Sequence, residues 1–176
     1  EYEVTTFVQD VNFKALTGLA RATKSGETVS GDNFSFMELR TGELIMMLSD
    51  GMGSGSRACR DSENLVDVLE SLVEAGFRKE SAIRLINTLF VMSYEGKTFT
   101  TLDMTAVDLY SGSCEIVKNG AAATFIKKKD GVKTIFSSAL PVGVEMNADP
   151  ETITQELEEG DFIVMVSDGV IDAFPG

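Results

Sequence analysis

The sequence predicts an α+β fold in which a central antiparallel β-sandwich is flanked by antiparallel helices. Short segments with strand-like alternation open the chain and fill its second half, whereas one stretch between them carries helical periodicity. Strands, then two helices, then many strands is the order of an α+β domain rather than of repeated βαβ units. Hydrophobic residues make up 43% and charged residues 24% of the chain, which is ordinary for a domain with a packed core.

Glycine-rich turns separate the strands predicted in the first part of the chain. A loop is predicted over residues 24–33 because it is rich in turn-forming residues, and Thr41-Gly42 is predicted to be a tight turn. The strands around them are predicted over residues 2–8, 13–23, 34–39 and 43–49.

Two helices are predicted next, joined by a short turn and therefore antiparallel. In the first helix apolar residues share one face, acidic residues lie opposite, and Gly76 is a suitable stop. The second helix is predicted over residues 79–93. The apolar face of the first helix consists of Ala58, Leu65, Leu69, Leu72 and Val73.

Strand patterns return after the helices, and no linker, low-complexity segment or solenoid repeat interrupts them. Asp130-Gly131 predicts a hairpin with a type I′ turn, and Leu140-Pro-Val-Gly143 predicts an ordered loop. A final helix is predicted to start near Val170. The strands are predicted over residues 101–110, 114–119, 124–129, 132–136, 153–157 and 161–167.

Composition and charge exclude several classes of protein. With 15 basic and 28 acidic residues the formal net charge is −13, which disfavours nonspecific binding to nucleic-acid phosphates. The absence of histidine excludes Ser-His-Asp and Cys-His catalysis as well as histidine-bound zinc. The only cysteines, Cys59 and Cys114, form no disulfide framework and suit a reducing compartment. No apolar run approaches the roughly 18 residues of a membrane-spanning helix, and because the chain begins with Glu1 we interpret it as a piece of a longer protein.

The strongest chemical signal is a near-repeat in which an apolar strand ends in Ser-Asp-Gly. The segment Leu44-Ile-Met-Met-Leu-Ser-Asp-Gly-Met52 resembles Phe162-Ile-Val-Met-Val-Ser-Asp-Gly-Val170. A strand buried on both faces fixes the side chain at its end, and the following glycine lets the backbone turn. We therefore predict that Asp50 and Asp168 meet at one edge of the core.

A third acid, Asp32, is predicted to join them. The short turn at Thr41-Gly42 pairs the start of one strand with the end of the next, so Asp32 and Asp50 should be neighbours. Crowded carboxylates repel one another and favour a bound cation. Oxygen ligands without His or Cys suit Mg²⁺ or Mn²⁺, and Ca²⁺ less well. Two such ions activate a shared water and clamp a phosphate, so the three acids predict direct phosphate-ester hydrolysis.

Two further motifs have competing interpretations. Gly53-Ser-Gly55-Ser-Arg-Ala58 fits a dinucleotide-binding pattern, but that fold requires a strand after the helix, where a second helix is predicted. Asp103, in Thr101-Leu-Asp-Met-Thr105, is either a partner that supports a metal ligand or a solvated strand end.

Taken in order, six motifs resemble the metal-dependent protein phosphatase 2C family, in particular its bacterial sporulation and stress-response branch. They are Ser30-Gly-Asp-Asn-Phe34, Leu48-Ser-Asp-Gly-Met-Gly-Ser-Gly55, Leu102-Asp-Met-Thr105, Lys118-Asn-Gly-Ala121, Leu140-Pro-Val-Gly143 and Val166-Ser-Asp-Gly-Val170. The resemblance covers nearly the whole chain. It implies a four-layered sandwich with a site for two manganese or magnesium ions at one end.

The resemblance also implies a role for each site residue. Asp50 would bridge both ions, and the carbonyl of Gly51 would bind one of them. Asp32 would help to hold the second ion, and Asp168 would hold the first. The family carries a further metal-binding Asp near its C-terminal end, for which this chain has no counterpart, so the catalytic domain over residues 1–176 is expected to be incomplete there. Ser54 stands where many relatives have histidine. The histidine general acid proposed for eukaryotic members is also absent, so protonation of the leaving group is expected to fall to metal-bound water.

The implied reaction is hydrolysis of phosphoserine on a partner protein, typically a phosphorylated anti-anti-sigma factor whose release activates a sigma factor in sporulation. The helix pair over residues 57–93 is implied to be regulatory, since it follows directly from the metal loop. A cytoplasmic location is expected, and both a homodimer and membrane attachment through flanking segments are compatible with the sequence. A pseudophosphatase that only docks a partner and a structural Ca²⁺ domain are the competing functions.

Overall fold

A computed structural model describes residues 3–5, 9–23, 29–53, 55–93 and 98–173. Within these residues the predicted order of strands, two helices and further strands is confirmed. The strands are β1 (Asp32–Glu38), β2 (Glu43–Asp50), β3 (Leu102–Asp108), β4 (Ser113–Asn119), β5 (Thr124–Lys128), β6 (Gly131–Ile135), β7 (Glu151–Glu156) and β8 (Phe162–Met165). The helices are α1 (Ser56–Glu74), α2 (Lys79–Ser93) and α3 (Asp168–Asp172).

The strands form two sheets in which every neighbouring pair is antiparallel. One sheet has five strands in the order β1-β2-β3-β4-β7, and the other has three in the order β6-β5-β8. The sheets pack against each other through an inter-sheet core, while α1 and α2 pack on the opposite face of the five-stranded sheet. The outer face of the three-stranded sheet leaves Val132, Phe162 and Val164 exposed.

Strand β2 is buried on both faces, as its apolar run predicts. Ile45 and Met47 belong to the core between the sheet and the helices. Leu44 and Met46 face the inter-sheet core, because successive side chains of a strand point to opposite sides. The strand is therefore held from both sides, and the position of its last residue, Asp50, is fixed.

Helix α1 buries the face that its periodicity predicts and ends where the sequence indicates. Gly76 adopts a φ of 87°, a left-handed conformation that glycine reaches at low cost. Its N–H donates to the carbonyl of Val73, which satisfies one of the free carbonyls of the last turn. The buried apolar residues of α1 are Ala58, Leu65, Val66, Leu69 and Val73.

The side chain of Asn87 fastens α2 to the loop that follows β6. Asn87 is 3% exposed, its Oδ1 accepts the N–H of Gly143 at 2.9 Å, and its Nδ2 donates to the carbonyl of Glu145 at 2.8 Å. The loop pairs in turn with Thr100, whose N–H and carbonyl bond to Val142 at 3.1 and 2.9 Å. The ordered loop that the sequence predicts is therefore confirmed.

We expect Asn87→Ala to lower the free energy of unfolding by about 1–3 kcal/mol, because the buried N–H of Gly143 loses its acceptor. Urea denaturation measures this change. Thr88→Ala is the matched control, since the Thr88 hydroxyl donates only within α2, to the carbonyl of Arg84. Equal losses in the two variants would show that the bonds to the loop contribute nothing.

The prediction of a strand over residues 13–23 is wrong. This segment has no strand structure, and Leu16 and Leu19 are exposed. At the start of this segment, the N–H groups of Asn12 and Phe13 both donate to the single carbonyl of Leu109, at 3.0 and 2.9 Å. Apolar composition alone does not make a strand, because a strand also needs a neighbour for its backbone hydrogen bonds and this segment pairs with none. The strand predicted over residues 2–8 lies largely outside the described residues, and its described part has no strand structure.

Candidate metal centre

Strands β1 and β2 bring Asp32 and Asp50 together at one end of the five-stranded sheet. The two residues are register partners, so the predicted proximity is confirmed. The N–H of Asp50 donates to the Thr101 hydroxyl at 2.9 Å. Its carbonyl accepts the N–H of Thr101 at 2.9 Å and the hydroxyl of Thr100 at 2.8 Å. These three hydrogen bonds to the segment just before β3 hold the end of β2 in place.

Asp168 reaches the same place from the other sheet, since it follows β8 and begins α3. The preceding residue, Ser167, donates its hydroxyl to Oδ2 of Asp32 at 3.1 Å. The carboxyl group of Asp50 interacts with those of both Asp32 and Asp168. The structure thus brings the three acids together, and we call Asp32, Asp50 and Asp168 the carboxylate cluster.

The electrostatics of the carboxylate cluster favour a cation. Burial, and then the negative charges of Asp32 and Asp168, raise the pKa of Asp50 to about 8. A carboxyl group in this position keeps its proton at neutral pH because its charged form is poorly solvated and repelled. A divalent cation would offset both effects and would allow Asp50 to ionise.

A cavity of about 180 Å³ adjoins the cluster and is bounded by both sheets. Asp50 and Asp168 contribute to its wall, as does Asp103. Small residues form much of the remaining wall, which leaves room for a ligand beside the carboxylates. The lining residues with small side chains are Gly120, Ala121, Ala122 and Ser167.

A larger cleft of about 870 Å³ lies at the opposite end of β2, beside the turn between α1 and α2. Within it, Nζ of Lys79 lies 2.5 Å from Glu43 and 2.9 Å from Glu115. Because the carboxylate cluster is at the other end of β2, this cleft is not the candidate site.

The beginning of α1 forms one wall of the metal centre. A Cβ added to Gly51 would lie 2.0 Å from the carbonyl oxygen of Ala58, so the loop after β2 touches the helix backbone directly. The hydroxyl of Ser62 donates to the carbonyl of Gly31, beside Asp32. The side-chain amide of Asn33 donates to Oγ of Ser62 at 2.8 Å. The position of α1 is thereby tied to both loops that carry the acids of the five-stranded sheet.

Several residues that shape the site were not predicted from the sequence. Thr100 and Thr101 support Asp50, but nothing in the pattern ahead of β3 distinguishes them from an ordinary strand start. Nη2 of Arg21 donates to the carbonyl of Asp32 at 2.7 Å, which brings a positive charge beside the cluster. Asp103 is 1% exposed, so its interpretation as a solvated strand end is wrong. Ser54 lies outside the described residues.

The residues present fit a divalent ion in kind, since they offer carboxylate oxygens in a partly buried, negatively charged setting. They do not form a closed ligand shell: within the described part of the chain, no three His, Cys, Asp or Glu side chains group tightly enough to hold an ion. Asp50 interacts with each of the other two acids, and further ligands are needed to complete the coordination.

The packed antiparallel sheets, the helix pair and the acids at the strand ends define a phosphatase fold of the 2C class. The solved structure of the PP2C phosphatase domain of SpoIIE from Bacillus subtilis superimposes with a TM-score of 0.80 at 36% sequence identity. This superposition covers 88% of the present chain and 45% of that chain. The fold class predicted from the sequence is confirmed.

The family model of stage II sporulation protein E (SpoIIE) matches residues 40–176, and the chain belongs to this family. Stage II sporulation protein E of Bacillus subtilis (strain 168) is 35% identical over 171 residues, which are 97% of this chain and 21% of that protein. Phosphoserine phosphatase RsbU of the same strain is 22% identical over 146 residues, which are 82% of this chain and 43% of that protein. The chain therefore spans about a fifth of the length of the first relative.

Proposed function

We propose that the chain is the catalytic domain of a metal-dependent phosphatase that hydrolyses phosphoserine on a partner protein. The carboxylate cluster carries this proposal, because the two sheets bring three acids to one place. Burial there and the charges of Asp32 and Asp168 raise the pKa of Asp50 to about 8. Membership in the SpoIIE family and similarity to a phosphoserine phosphatase support the reaction class.

In this proposal Asp50, Asp32, Asp168 and the carbonyl of Gly51 hold two divalent ions, Mn²⁺ or Mg²⁺. Phosphatases of the 2C class are metal-dependent, and oxygen ligands without histidine or thiolate match these hard ions. The bound ions supply Lewis-acid activation of water and neutralise charge on the phosphate.

The remaining residues of the site orient these ligands and admit the substrate. Thr100 and Thr101 fix the backbone of Asp50, and Ser167 holds the carboxylate of Asp32. The guanidinium of Arg21, bonded to the carbonyl of Asp32, places a positive charge where it would attract a phosphate. Preorganised groups of this kind lower the reorganisation needed during reaction.

We propose a phosphorylated anti-anti-sigma factor as the partner, on the strength of the family and of its role in sporulation. The net charge of −13 disfavours nucleic acid. Among the described residues no helix combines the length and the apolar character that crossing a membrane requires. A cytoplasmic location, membrane attachment through flanking segments and a homodimer stay predictions. We also propose that residues 1–176 belong to one catalytic domain and that a carboxylate outside the carboxylate cluster completes the coordination of the ions.

The proposal is tested by phosphate release from a phosphoserine protein in the presence of Mn²⁺, using this chain and a version extended at its C-terminus. We expect release that requires Mn²⁺, that EDTA abolishes and that Asp168→Asn reduces to background. Asp130→Asn is the matched control, since Asp130 also precedes glycine but is exposed in the turn between β5 and β6.

Three outcomes would contradict the proposal. Release that is equal in wild type and Asp168→Asn would exclude the carboxylate cluster as the site. Binding of Mn²⁺ without release of phosphate by either version would favour a pseudophosphatase that only docks a partner. Stabilisation by Ca²⁺ alone, again without release, would favour the structural Ca²⁺ domain.

A further inference from the structure

A buried ion pair connects the two sheets next to the metal centre. Asp103 on β3 and Lys118 on β4 are cross-strand partners, with side chains 1% and 0% exposed. Nζ of Lys118 lies 2.5 Å from Oδ2 of Asp103 and 2.8 Å from the hydroxyl of Thr124 on β5. The Thr124 hydroxyl also donates to Oδ2 of Asp103. The three side chains form a closed triangle that joins the five-stranded sheet to the three-stranded sheet.

The triangle uses only one oxygen of the Asp103 carboxylate. Both donors converge on Oδ2, whereas Oδ1 is buried and has no hydrogen-bond partner among the described residues. A buried carboxylate oxygen without a donor is costly, and native proteins supply a partner for such atoms in most cases.

The location of Asp103 indicates the missing partner. Asp103 lines the same cavity of about 180 Å³ as Asp50 and Asp168. At about 30 Å³ of liquid volume per molecule, a cavity of this size holds several waters, and a water needs two or more polar partners to be bound well. Oδ2 is occupied by Lys118 and Thr124, so Oδ1 is the oxygen of Asp103 that still lacks a donor among the described residues.

We propose that Asp103 is a positioning residue of the metal centre. Its Oδ1 accepts a hydrogen bond from water that lies between it and the carboxylate cluster, and this water contacts the metal ligands. Burial raises the pKa of Asp103, and the charge of Lys118 opposes that shift. Lys118 also fixes the orientation of Asp103 and balances its charge, so a fourth carboxylate stands beside three others without adding net charge. The inference rests on the proposed function, since it concerns the same metal centre.

The double variant Asp103→Asn with Lys118→Met tests this role. It removes one negative and one positive charge, so the net charge is unchanged, and it replaces the buried pair without leaving either ion alone. The free energy of unfolding of the metal-free protein is expected to stay near the wild-type value. The dissociation constant for Mn²⁺, measured by titration calorimetry with Mn²⁺ alone, is expected to rise about 10–100-fold, the usual effect of losing a group that orients metal ligands.

Thr124→Val is the matched control, because it removes the bond from Thr124 to Oδ2 and the bond from Lys118 to Thr124 but leaves the ion pair and Oδ1 in place. Its affinity for Mn²⁺ should equal that of wild type. If the double variant does not fold, Asp103→Leu with Lys118→Met replaces it, since apolar residues substitute well for buried ion pairs. A folded double variant with wild-type affinity for Mn²⁺ would overturn the role of Asp103. A wild-type protein that binds no Mn²⁺ would instead overturn the proposed metal centre itself.

Discussion

Asp50→Asn is expected to abolish Mn²⁺-dependent phosphate release and, at neutral pH, to stabilise the metal-free protein. Burial and the neighbouring charges of Asp32 and Asp168 oppose ionisation of Asp50, and a neutral amide removes that opposition. The same substitution removes the carboxylate that interacts with both other acids, so activity should fall to background. Opposite changes in stability and activity are typical of a residue kept for function.

The pH dependence of the metal-free protein follows from the same pKa shift. In the unfolded chain Asp50 has the ordinary value of 3.8, and folding raises it to about 8. Between these values the folded state binds more protons than the unfolded state, so the free energy of unfolding decreases as pH rises. The stabilisation that the protonated Asp50 gives the folded state is complete below pH 3.8 and is lost once the pH passes about 8.

Urea denaturation in EDTA across this pH window measures the effect. Asp50→Asn should make the free energy of unfolding less dependent on pH. Added Mn²⁺ should restore the stability of the wild-type protein near the upper end of the pH window. Asp130→Asn should retain the wild-type slope because Asp130 is exposed in a turn. An unchanged slope in Asp50→Asn would mean that a different group titrates.

The part of the site formed by adjacent strands could be predicted because local signals specify it. The turn at Thr41-Gly42 sets the register of β1 and β2, and this register alone makes Asp32 and Asp50 partners. The repeated Ser-Asp-Gly ending placed Asp168 at a second strand end. In each case a few consecutive residues contain the relevant information, since turn geometry and strand alternation are local properties.

Apart from the meeting of Asp50 and Asp168, contacts between the sheets could not be predicted, because alternation assigns a face to each residue but not a partner. The role of Lys118 depends on Thr124, which belongs to the other sheet, and a lysine in a strand ordinarily indicates a solvated face. The hairpin between β5 and β6 is confirmed, yet Gly131 pairs with Lys128, so the turn residues are Lys129 and Asp130 rather than Asp130 and Gly131. Small shifts of this kind depend on how the strands pack.

Gly51→Ala is expected to have a large effect on folding and on the metal centre together. The new Cβ would lie 2.0 Å from the carbonyl oxygen of Ala58 and 2.8 Å from its Cα. These are backbone atoms of α1, so no side-chain rotation relieves the overlap, and either the helix or the loop after Asp50 has to move. We expect the free energy of unfolding to fall by about 3 kcal/mol or more, with weaker binding of Mn²⁺.

The second Ser-Asp-Gly ending provides the matched control. Among the described residues no atom lies within 4 Å of a Cβ built at Gly169, and Gly169 does not have a left-handed φ. Gly169→Ala should therefore change the free energy of unfolding by no more than about 0.5 kcal/mol. Similar losses at Gly51 and Gly169 would show that the glycines serve the turn itself and not the approach of α1.

The contact between Gly51 and α1 also bears on how the helix pair could regulate the enzyme. Ser62 and Asn33 bond α1 to the loop before β1, and Gly51 contacts α1 after β2, so displacement of the helix moves both loops that carry acids. A folded Gly51→Ala protein that needs more Mn²⁺ for the same activity would show that the position of α1 sets the affinity for metal. If its Mn²⁺ titration matched that of wild type despite the displaced helix, regulation through α1 would have to act on substrate binding instead.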